Sequence, residues 1–398
     1  MGNQEAPEVS EGRWVQRVLS ILPLPMFFGL ASLLLGLLFL EERGDYARVF
    51  YLTLLAPTLL LIILQPSIAV TTFRQPQARM VVSFLAYVTL SVVVGESFRD
   101  AASLLRLPAY VLVVFIAVSF LALTQHDRLA ATLRGTAVLS VFLALWNLWL
   151  FAGGNQERLI GFGVLSNPLL ISHAYGFFAA IWLGYLMTGE GRARWWAVAP
   201  LSVLAILLYE TGSRTPMLAL LASLGWVVVL RPRRQVLLGG VALLALVSVL
   251  FALNPEAMLQ RGLSYRTEIW SDVWQQSKEA LIWGHGLDAE LRVQLSDIPY
   301  PFSDPHNMTL SVLYRLGLVG VAFWGAMYAA SLYAAWRHKS DDAVVIFSVA
   351  VVYGLMAGMT EGGSFLSRPK EHWLLIWIPL ALLNATLLLT QKTSAPSR

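Results

Sequence analysis

Six polar residues that could bind an anion or exchange a proton lie at the ends of predicted apolar helices, while the helix centres are nearly free of charge. They are Arg158, Glu210, Arg214, Arg266, His306 and Arg315. Guanidinium groups bind phosphate oxygens, and an imidazole can take a proton near neutral pH. These residue types therefore indicate chemistry on an anionic substrate at a membrane surface.

Arg214 lies in a short turn, Glu210-Thr-Gly-Ser-Arg-Thr-Pro216, that leads into an apolar segment. Pro216 suits the first turn of a helix. A cation at a helix N-terminus opposes the helix dipole, and the arrangement becomes favourable when an anion lies between the two. The turn therefore predicts a phosphate site. The alternative is an arginine that extends to lipid headgroups or pairs with Glu210.

Arg266 follows Ser264, a suitable helix cap, and again puts a cation at a predicted helix start. The apolar residues that follow recur at helical spacing, which predicts an amphipathic helix on the membrane surface. They are Ile269, Trp270, Val273, Trp274 and Leu281. The two tryptophans are predicted to anchor this helix at the interface rather than to stack on a sugar. For Arg266 itself, a solvated loop arginine is the alternative to an anion site.

His306 lies in Ser303-Asp-Pro-His-Asn307, where Asp304 is predicted to cap a helix and Pro305 to begin it. A first-turn histidine is disfavoured as a cation, so the imidazole is predicted to be neutral, as a general base must be. A purely structural histidine is the alternative. The other five histidines show no metal-site spacing, and the chain has no cysteine. No metal or cofactor is therefore predicted.

The composition is that of a membrane protein. The 398 residues are 57% hydrophobic and 13% charged, whereas soluble domains carry about 25% charged residues. A helix needs roughly 20 apolar residues to cross a bilayer. Such segments are 18–40, 46–64, 80–95, 107–124, 135–151, 169–187, 195–209, 216–230, 236–253, 307–336, 343–360 and 373–389. We therefore predict an all-α, polytopic, single transmembrane domain over residues 1–398, with about twelve spans.

The charges predict the orientation of these spans. More than half of the 28 Lys and Arg residues fall on the side of the two termini, which the positive-inside rule makes cytoplasmic. Residues 254–305, with the predicted amphipathic helix, then form a long outer loop. The basic residues form no patch, so nucleic acid is not a predicted partner. The predicted partners include membrane lipids.

Three stretches resemble the O-antigen ligase and polymerase superfamily of bacterial membrane glycosyltransferases, and the resemblance extends over most of the chain. They are Thr211-Gly-Ser-Arg-Thr-Pro216; Tyr265-Arg-Thr-Glu-Ile-Trp270 with Trp283-Gly-His-Gly286; and Asp304-Pro-His-Asn307 with Gly317 and Gly320. A fourth stretch, residues 158–168, is weaker. The resemblance implies a GT-C-like fold in the inner membrane of a Gram-negative bacterium, with a periplasmic active site.

The resemblance also implies a reaction: inverting, metal-independent transfer of a glycan from undecaprenyl pyrophosphate to a hydroxyl on another molecule. His306 would deprotonate that hydroxyl, and Arg214 and Arg266 would stabilise the leaving diphosphate. Residues in a second tier would contact donor or acceptor. These are Arg158, Tyr265, Asn307 and Arg315.

Within the superfamily, the compact length and the single long outer loop are most like the ligase branch, in which O-antigen is joined to the lipid A-core in lipopolysaccharide biosynthesis. The polymerase branch, commonly with two large outer loops, and the protein O-oligosaccharyltransferase branch are alternatives. From a different class, a polytopic transporter would show internal repeats and midplane polar groups. The sequence shows neither.

One distance constrains this arrangement. A straight helix from His306 to Arg337 would be about 46 Å long and would lift the histidine well above Arg214. A common site for these residues therefore requires a tilt, or a kink near Gly317.

Overall fold

The protein is described by a computed structural model that covers residues 8–95, 98–232, 234, 237–241, 265–295 and 298–394. Helices dominate these residues, and Val293 and Phe302 form an isolated antiparallel bridge. The predicted all-α class is therefore confirmed. Ser264 and most of the predicted span 236–253 lie outside the described residues.

The helices are numbered in chain order. They are α1 (Glu8–Ile21), α2 (Pro23–Leu35), α3 (Arg43–Phe50), α4 (Ala56–Leu64), α5 (Ser67–Thr72), α6 (Pro76–Gly95), α7 (Phe98–Thr124), α8 (His126–Ala152), α9 (Pro168–Thr188), α10 (Val198–Glu210), α11 (Thr215–Leu230), α12 (Arg266–Ser277), α13 (Met308–Arg337), α14 (Asp342–Gly358) and α15 (Trp377–Ser394). A π-helical turn, Tyr51–Leu55, joins α3 to α4.

Among the described residues, nine helical segments are long and apolar enough to cross a membrane. Two shorter apolar helices, Thr215–Leu230 and Asp342–Gly358, accompany them. Each predicted span other than 236–253 corresponds to one of these segments. The chain is therefore a multi-helix membrane protein, and the total of about twelve spans stays a prediction.

Burial separates central helices from lipid-facing ones. Among the 18 most apolar consecutive residues of the segment Glu371–Lys392, 83% are buried. The corresponding share for His126–Ala152 is 28%. On the latter helix, Phe142 and Trp149 leave more than half of their surface uncovered. A helix that is apolar on all sides but packed on only one must face an apolar solvent, which here is lipid.

Of the two predicted alternatives, a tilt or a kink near Gly317, the structure shows the kink, in α13. Gly317 has φ 66° and ψ −168°, so two helical segments meet there at a break. Beyond the break, the amide of Leu318 donates to the carbonyl of Leu281 at 2.8 Å. Before it, the carbonyls of Tyr314 and Arg315 accept from residues 285 and 286 at 2.9 and 3.0 Å. The broken helix therefore pairs its freed backbone groups with residues 281–286.

This pairing explains Gly317 and the first glycine, Gly284, of the Trp283-Gly-His-Gly286 motif. A Cβ atom at Gly317 would lie 2.2 Å from the carbonyl oxygen of Ile282, and one at Gly284 would lie 2.3 Å from the carbonyl of Arg315. Both glycines also have positive φ, a conformation that residues with a side chain rarely adopt. The motif is therefore a backbone brace that holds the kink open.

The predicted amphipathic helix is present as α12, but its apolar face lies against protein. Ile269 and Val273 are fully buried, and they pack with Leu291, Val293 and Tyr314 of the following loop and the first turns of α13. The expectation of a helix lying on the membrane interface is therefore wrong for this face. A sequence gives the apolar stripe but does not tell which partner covers it.

Candidate active site

Three helices begin at one end of the bundle, which we call the site end: α11, α12 and α13. Arg214 immediately precedes α11, and Pro216 lies in the first turn of that helix, as predicted. Arg266 is the first residue of α12. Both arginines therefore stand at helix N-termini, where backbone amides also point outward.

His306 stands just before a helix rather than in its first turn, which corrects the sequence prediction. The helix α13 begins at Met308, and the side chain of Asn307 caps it by accepting from the amide of Leu310 at 3.0 Å. Asp304 does not cap the helix, because its Oδ1 accepts from the amide of His306 at 2.7 Å. Two suitable caps lay three residues apart in the sequence, and the later one begins the helix.

Two site residues have strained backbones. Among the described residues, the non-glycine residues with positive φ are Tyr265, at 58°, and His306, at 48°. Such conformations cost about 1–3 kcal/mol each and persist only where the surrounding structure fixes them. The strain therefore lies at the two turns that aim Arg266 and His306.

A buried carboxylate, Glu361, joins the predicted residues. Its Oε1 contacts the Nη2 of Arg266 as an ion pair, and its Oε2 lies 3.6 Å from the Nδ1 of His306. The hydroxyl of Thr215 lies 3.5 Å from Oε1. Glu361 is 1% exposed. One carboxylate thus links the first residues of α11 and α12 and the turn before α13.

The charges of the site act on one another. Burial, and then the charge of Arg214, lowers the pKa of the Arg266 guanidinium, so the two arginines lie within electrostatic range. Burial is also the main cause that lowers the pKa of His306; Arg266 lowers it further and Asp304 opposes the shift. A lowered pKa keeps this imidazole neutral near pH 7. The sequence predicted the same state from a position in the first turn of a helix, whereas the main cause in the structure is burial.

The second-tier arginines hold backbone near the site. Arg158 donates from Nε to the carbonyl of Thr211 at 2.7 Å, within the turn that carries Arg214. Arg315 donates from Nη1 to the carbonyl of Leu287 at 2.9 Å, beside the brace of the α13 kink. These contacts give both arginines a structural role, whatever else they touch.

The other second-tier residues differ in exposure. Asn307 is 7% exposed, and its side chain is engaged as the cap of α13. Tyr265 is 47% exposed and stands directly before Arg266. Of these two side chains, only that of Tyr265 presents a large surface to a substrate.

Trp270 also braces the site. Its indole Nε1 donates to the carbonyl of Pro305 at 3.0 Å, which ties α12 to the turn that carries His306. The expected interfacial anchor is therefore a bridge between two parts of the site. Trp274 is 43% exposed and lies under the ammonium of Lys278 at 5.8 Å.

Sequence reasoning missed a buried histidine pair. The rings of His173 and His372 lie 5.5 Å apart, and both residues are buried. Within the described part of the chain, both ring nitrogens of His173 and the Nδ1 of His372 have no hydrogen-bond partner. The two residues are far apart in the sequence and in no motif, so no signal could have paired them. Among described residues, no three His, Cys, Asp or Glu side chains form a metal-binding group.

Comparison with known proteins gives two findings. Residues 199–325 match the protein family described as "O-Antigen ligase", a segment that includes Arg214, Arg266 and His306. Glu361 lies beyond that segment. The chain is also 39% identical, over 383 residues, to a protein of Pseudomonas aeruginosa named O-antigen ligase. That match covers 96% of this chain and 94% of the relative.

Proposed function

The chain belongs to the O-antigen ligase family, and on that basis we propose that it transfers an O-antigen glycan from undecaprenyl pyrophosphate to a sugar hydroxyl of the lipid A-core. The observation that carries the proposal is the contact of Arg266 and His306 with one buried carboxylate, Glu361, with Arg214 in electrostatic range. A cation pair beside a neutral imidazole suits displacement of a diphosphate by a hydroxyl. The name of the relative favours the ligase branch over the polymerase branch.

In the proposed reaction, His306 is the general base. Its Nδ1 faces Glu361, which leaves Nε2 to accept the proton of the acceptor hydroxyl. The hydroxyl oxygen then bonds to the anomeric carbon as the bond from that carbon to the diphosphate oxygen breaks, so the configuration inverts. The carboxylate of Glu361 stabilises the imidazolium that forms and fixes the orientation of the ring. Apo distances of this kind often shorten when substrate binds.

Arg214 and Arg266 would hold the leaving diphosphate. The bond that breaks leaves its electron pair on a diphosphate oxygen, and guanidinium groups stabilise the added charge through paired N–H donors. Both arginines stand at helix starts, where backbone amides add further donors. No metal or cofactor is assigned a role.

We propose that the site end faces the periplasm of a Gram-negative cell and that both termini are cytoplasmic. The support is the excess of basic residues toward the opposite helix ends, which the positive-inside rule assigns to the cytoplasm. The polyprenyl chain of the donor would then lie in the outer leaflet of the inner membrane. Its diphosphate would lie at the level of Arg214.

The test uses the full-length protein with a polyprenyl-pyrophosphate glycan and lipid A-core, in the presence of a chelator. We expect wild type to transfer the glycan, and His306→Ala to lose about 10²- to 10⁴-fold in rate, the usual contribution of a general base. The matched control is His126→Ala, an exposed histidine at the opposite end of the bundle. Retained transfer in folded His306→Ala would remove the assignment of the base.

A further inference from the structure

A second group of basic side chains lies at the site end and has no part in the reaction above. It consists of Arg43, Arg106, Arg368 and Lys370, and we call it the second cationic cluster. Its members come from the start of α3, the first half of α7 and the loop before the buried segment at Glu371. Three separate parts of the chain thus bring positive charge to one region.

Lys370 is the centre of this cluster. It is partly buried, and burial is the main cause that lowers the pKa of its ammonium. The charges of Arg43 and Arg315 lower that pKa further, and those of Glu371 and Asp304 oppose them. Glu371 is already engaged, because Arg43 lies 3.5 Å from its Oε2. A desolvated cation among cations becomes favourable when an anion binds.

Arg106 and Arg368 extend the cluster. Both are exposed, and both lie within electrostatic range of the Tyr110 hydroxyl. Over the described residues, no carboxylate oxygen lies within 4.0 Å of the charged nitrogens of Arg106, Arg368 or Lys370. Glu41 and Glu42 precede Arg43 at the exposed rim, whereas the acids that act on Lys370 are Glu371 and Asp304.

The cluster is connected to the turn that carries His306. Asp304 holds the amide of His306 with Oδ1, and its charge also acts on Lys370. A Cβ atom at Gly363 would lie 2.8 Å from the same Oδ1, so the loop that leads to Arg368 packs closely on this turn. A group bound by the second cationic cluster would therefore lie beside the proposed base.

We propose that the second cationic cluster binds phosphate carried by the acceptor glycolipid, whereas Arg214 and Arg266 bind the diphosphate of the donor. This inference rests on the proposed function. The reaction must bring two anionic lipids to one histidine, and like charges repel, so each lipid needs its own set of cations. The alternative is a set of arginines that extend to phospholipid headgroups, for which exposed side chains are enough. The partly buried ammonium of Lys370 favours a specific phosphate site over that alternative.

The first experiment measures transfer while either substrate is varied. We expect Arg368→Gln with Lys370→Gln to raise the KM for the acceptor about tenfold or more, because charge-assisted hydrogen bonds to phosphate are lost. The KM for the donor and kcat at saturating acceptor should not change. Lys370→Arg should retain most of the affinity. The matched control is Arg292→Gln with Lys278→Gln, which removes the same two charges from exposed side chains that contact Glu290 and Gln275.

An acceptor from which phosphate has been removed enzymatically supplies the second arm. Wild type should then show the raised KM of the double variant, and the double variant should show no further change. Two results would overturn the inference. One is a raised KM for the donor in the double variant. The other is a KM for the dephosphorylated acceptor that is higher in the double variant than in wild type.

Binding of the acceptor alone, in nanodiscs of a zwitterionic phospholipid, separates this inference from the proposed function. If wild type binds the acceptor more tightly than the double variant but transfers nothing, the proposed function fails and the second site stands. If both proteins bind it equally while wild type transfers, only the second site fails. Displacement of the acceptor by equimolar phosphatidylglycerol would identify a general headgroup site and would also overturn it.

Discussion

Arginine and carboxylate meet at both ends of the bundle, with different results. At the end opposite to the site, Arg231 donates to Asp342 at 2.5 Å and to the carbonyls of Lys339 and Ser340 at 2.9 and 3.0 Å. Its side chain is 9% exposed. At the site end, Arg266 is 25% exposed and donates, among the described residues, to Glu361. Each of the three side-chain nitrogens of Arg231 thus has a protein acceptor, whereas Arg266 has a described acceptor for its Nη2.

The difference shows how one residue type serves two purposes. A guanidinium has five N–H donors, and Arg231 uses three of its nitrogens to join α11 to the turn between α13 and α14. Glu361 instead divides one carboxylate between Arg266 and His306 and lies in reach of Thr215. The contacts of Arg231 stabilise the fold, whereas we propose that Arg266, which shares its partner with His306, binds substrate.

The largest expected effect separates the two arginines by function. Arg266→Gln should reduce transfer by about 10²- to 10³-fold, as when one donor to a developing negative charge is removed. Its apparent melting temperature in detergent should also fall, because the buried Glu361 loses its ion-pair partner, so transfer is compared at a temperature where both variants are folded. Arg231→Gln should leave kcat unchanged but lower stability by about 1–2 kcal/mol, a discounted value because Asp342 is half exposed. Equal losses of transfer in the two variants would remove the distinction.

A smaller effect is expected from the carboxylates. Glu361→Gln keeps the shape of the side chain but loses the charge that orients and stabilises His306, so transfer should fall by about 10- to 100-fold. Asp342→Asn, the corresponding change at the other end, should leave transfer unaltered. The two variants are compared by kcat at saturating substrates. A Glu361→Gln enzyme with wild-type kcat would show that the carboxylate serves folding alone.

The kink offers a test within one helix. Gly317→Ala places a Cβ against the carbonyl of Ile282 and requires positive φ, at a cost of about 1–3 kcal/mol. We expect a lower melting temperature and a several-fold loss of transfer as the turn before α13 shifts. Gly325→Ala, also in α13, has nothing within 4 Å of its new Cβ and should behave like wild type. Equal behaviour of the two variants would show that the kink does not position His306.

The smallest effect is a shift in pH dependence. A general base must be neutral, so transfer should be lost as the pH falls through the pKa of His306, which burial lowers from 6.5. Arg266 lowers this pKa and Asp304 raises it. In profiles of kcat/KM against pH, Arg266→Gln should therefore move the acid limb to higher pH and Asp304→Asn to lower pH. If the acid limb moved in the same direction in both variants, this electrostatic account would be contradicted.

The sequence predicted the elements of this molecule better than their contacts. Long apolar segments identify spans because a helix must be apolar over that length to cross a bilayer. The length of the segment before Arg337 predicted a tilt or a kink near Gly317, and the structure shows the kink. Motif residues from three helix starts were expected together, and Arg266 and His306 do contact one carboxylate, that of Glu361. Whether they act on substrate stays a proposal.

What the sequence did not predict depends on packing. Glu361 is a lone acid after a predicted span, and only the fold brings it to Arg266. His173 and His372 are paired by the docking of distant segments. The start of α13 was misplaced because Asp304 and Asn307 are both good caps, and their hydrogen bonds decide between them.

The central claim is that Arg214 and Arg266 share one lipid diphosphate, and equilibrium binding of undecaprenyl pyrophosphate tests it most directly. We expect each single change to Gln to weaken binding by about tenfold or more, and the double variant to lose less than the product of the single losses, because the two groups hold one ligand. Arg231→Gln should bind like wild type. Unchanged binding in Arg214→Gln or Arg266→Gln would contradict the account.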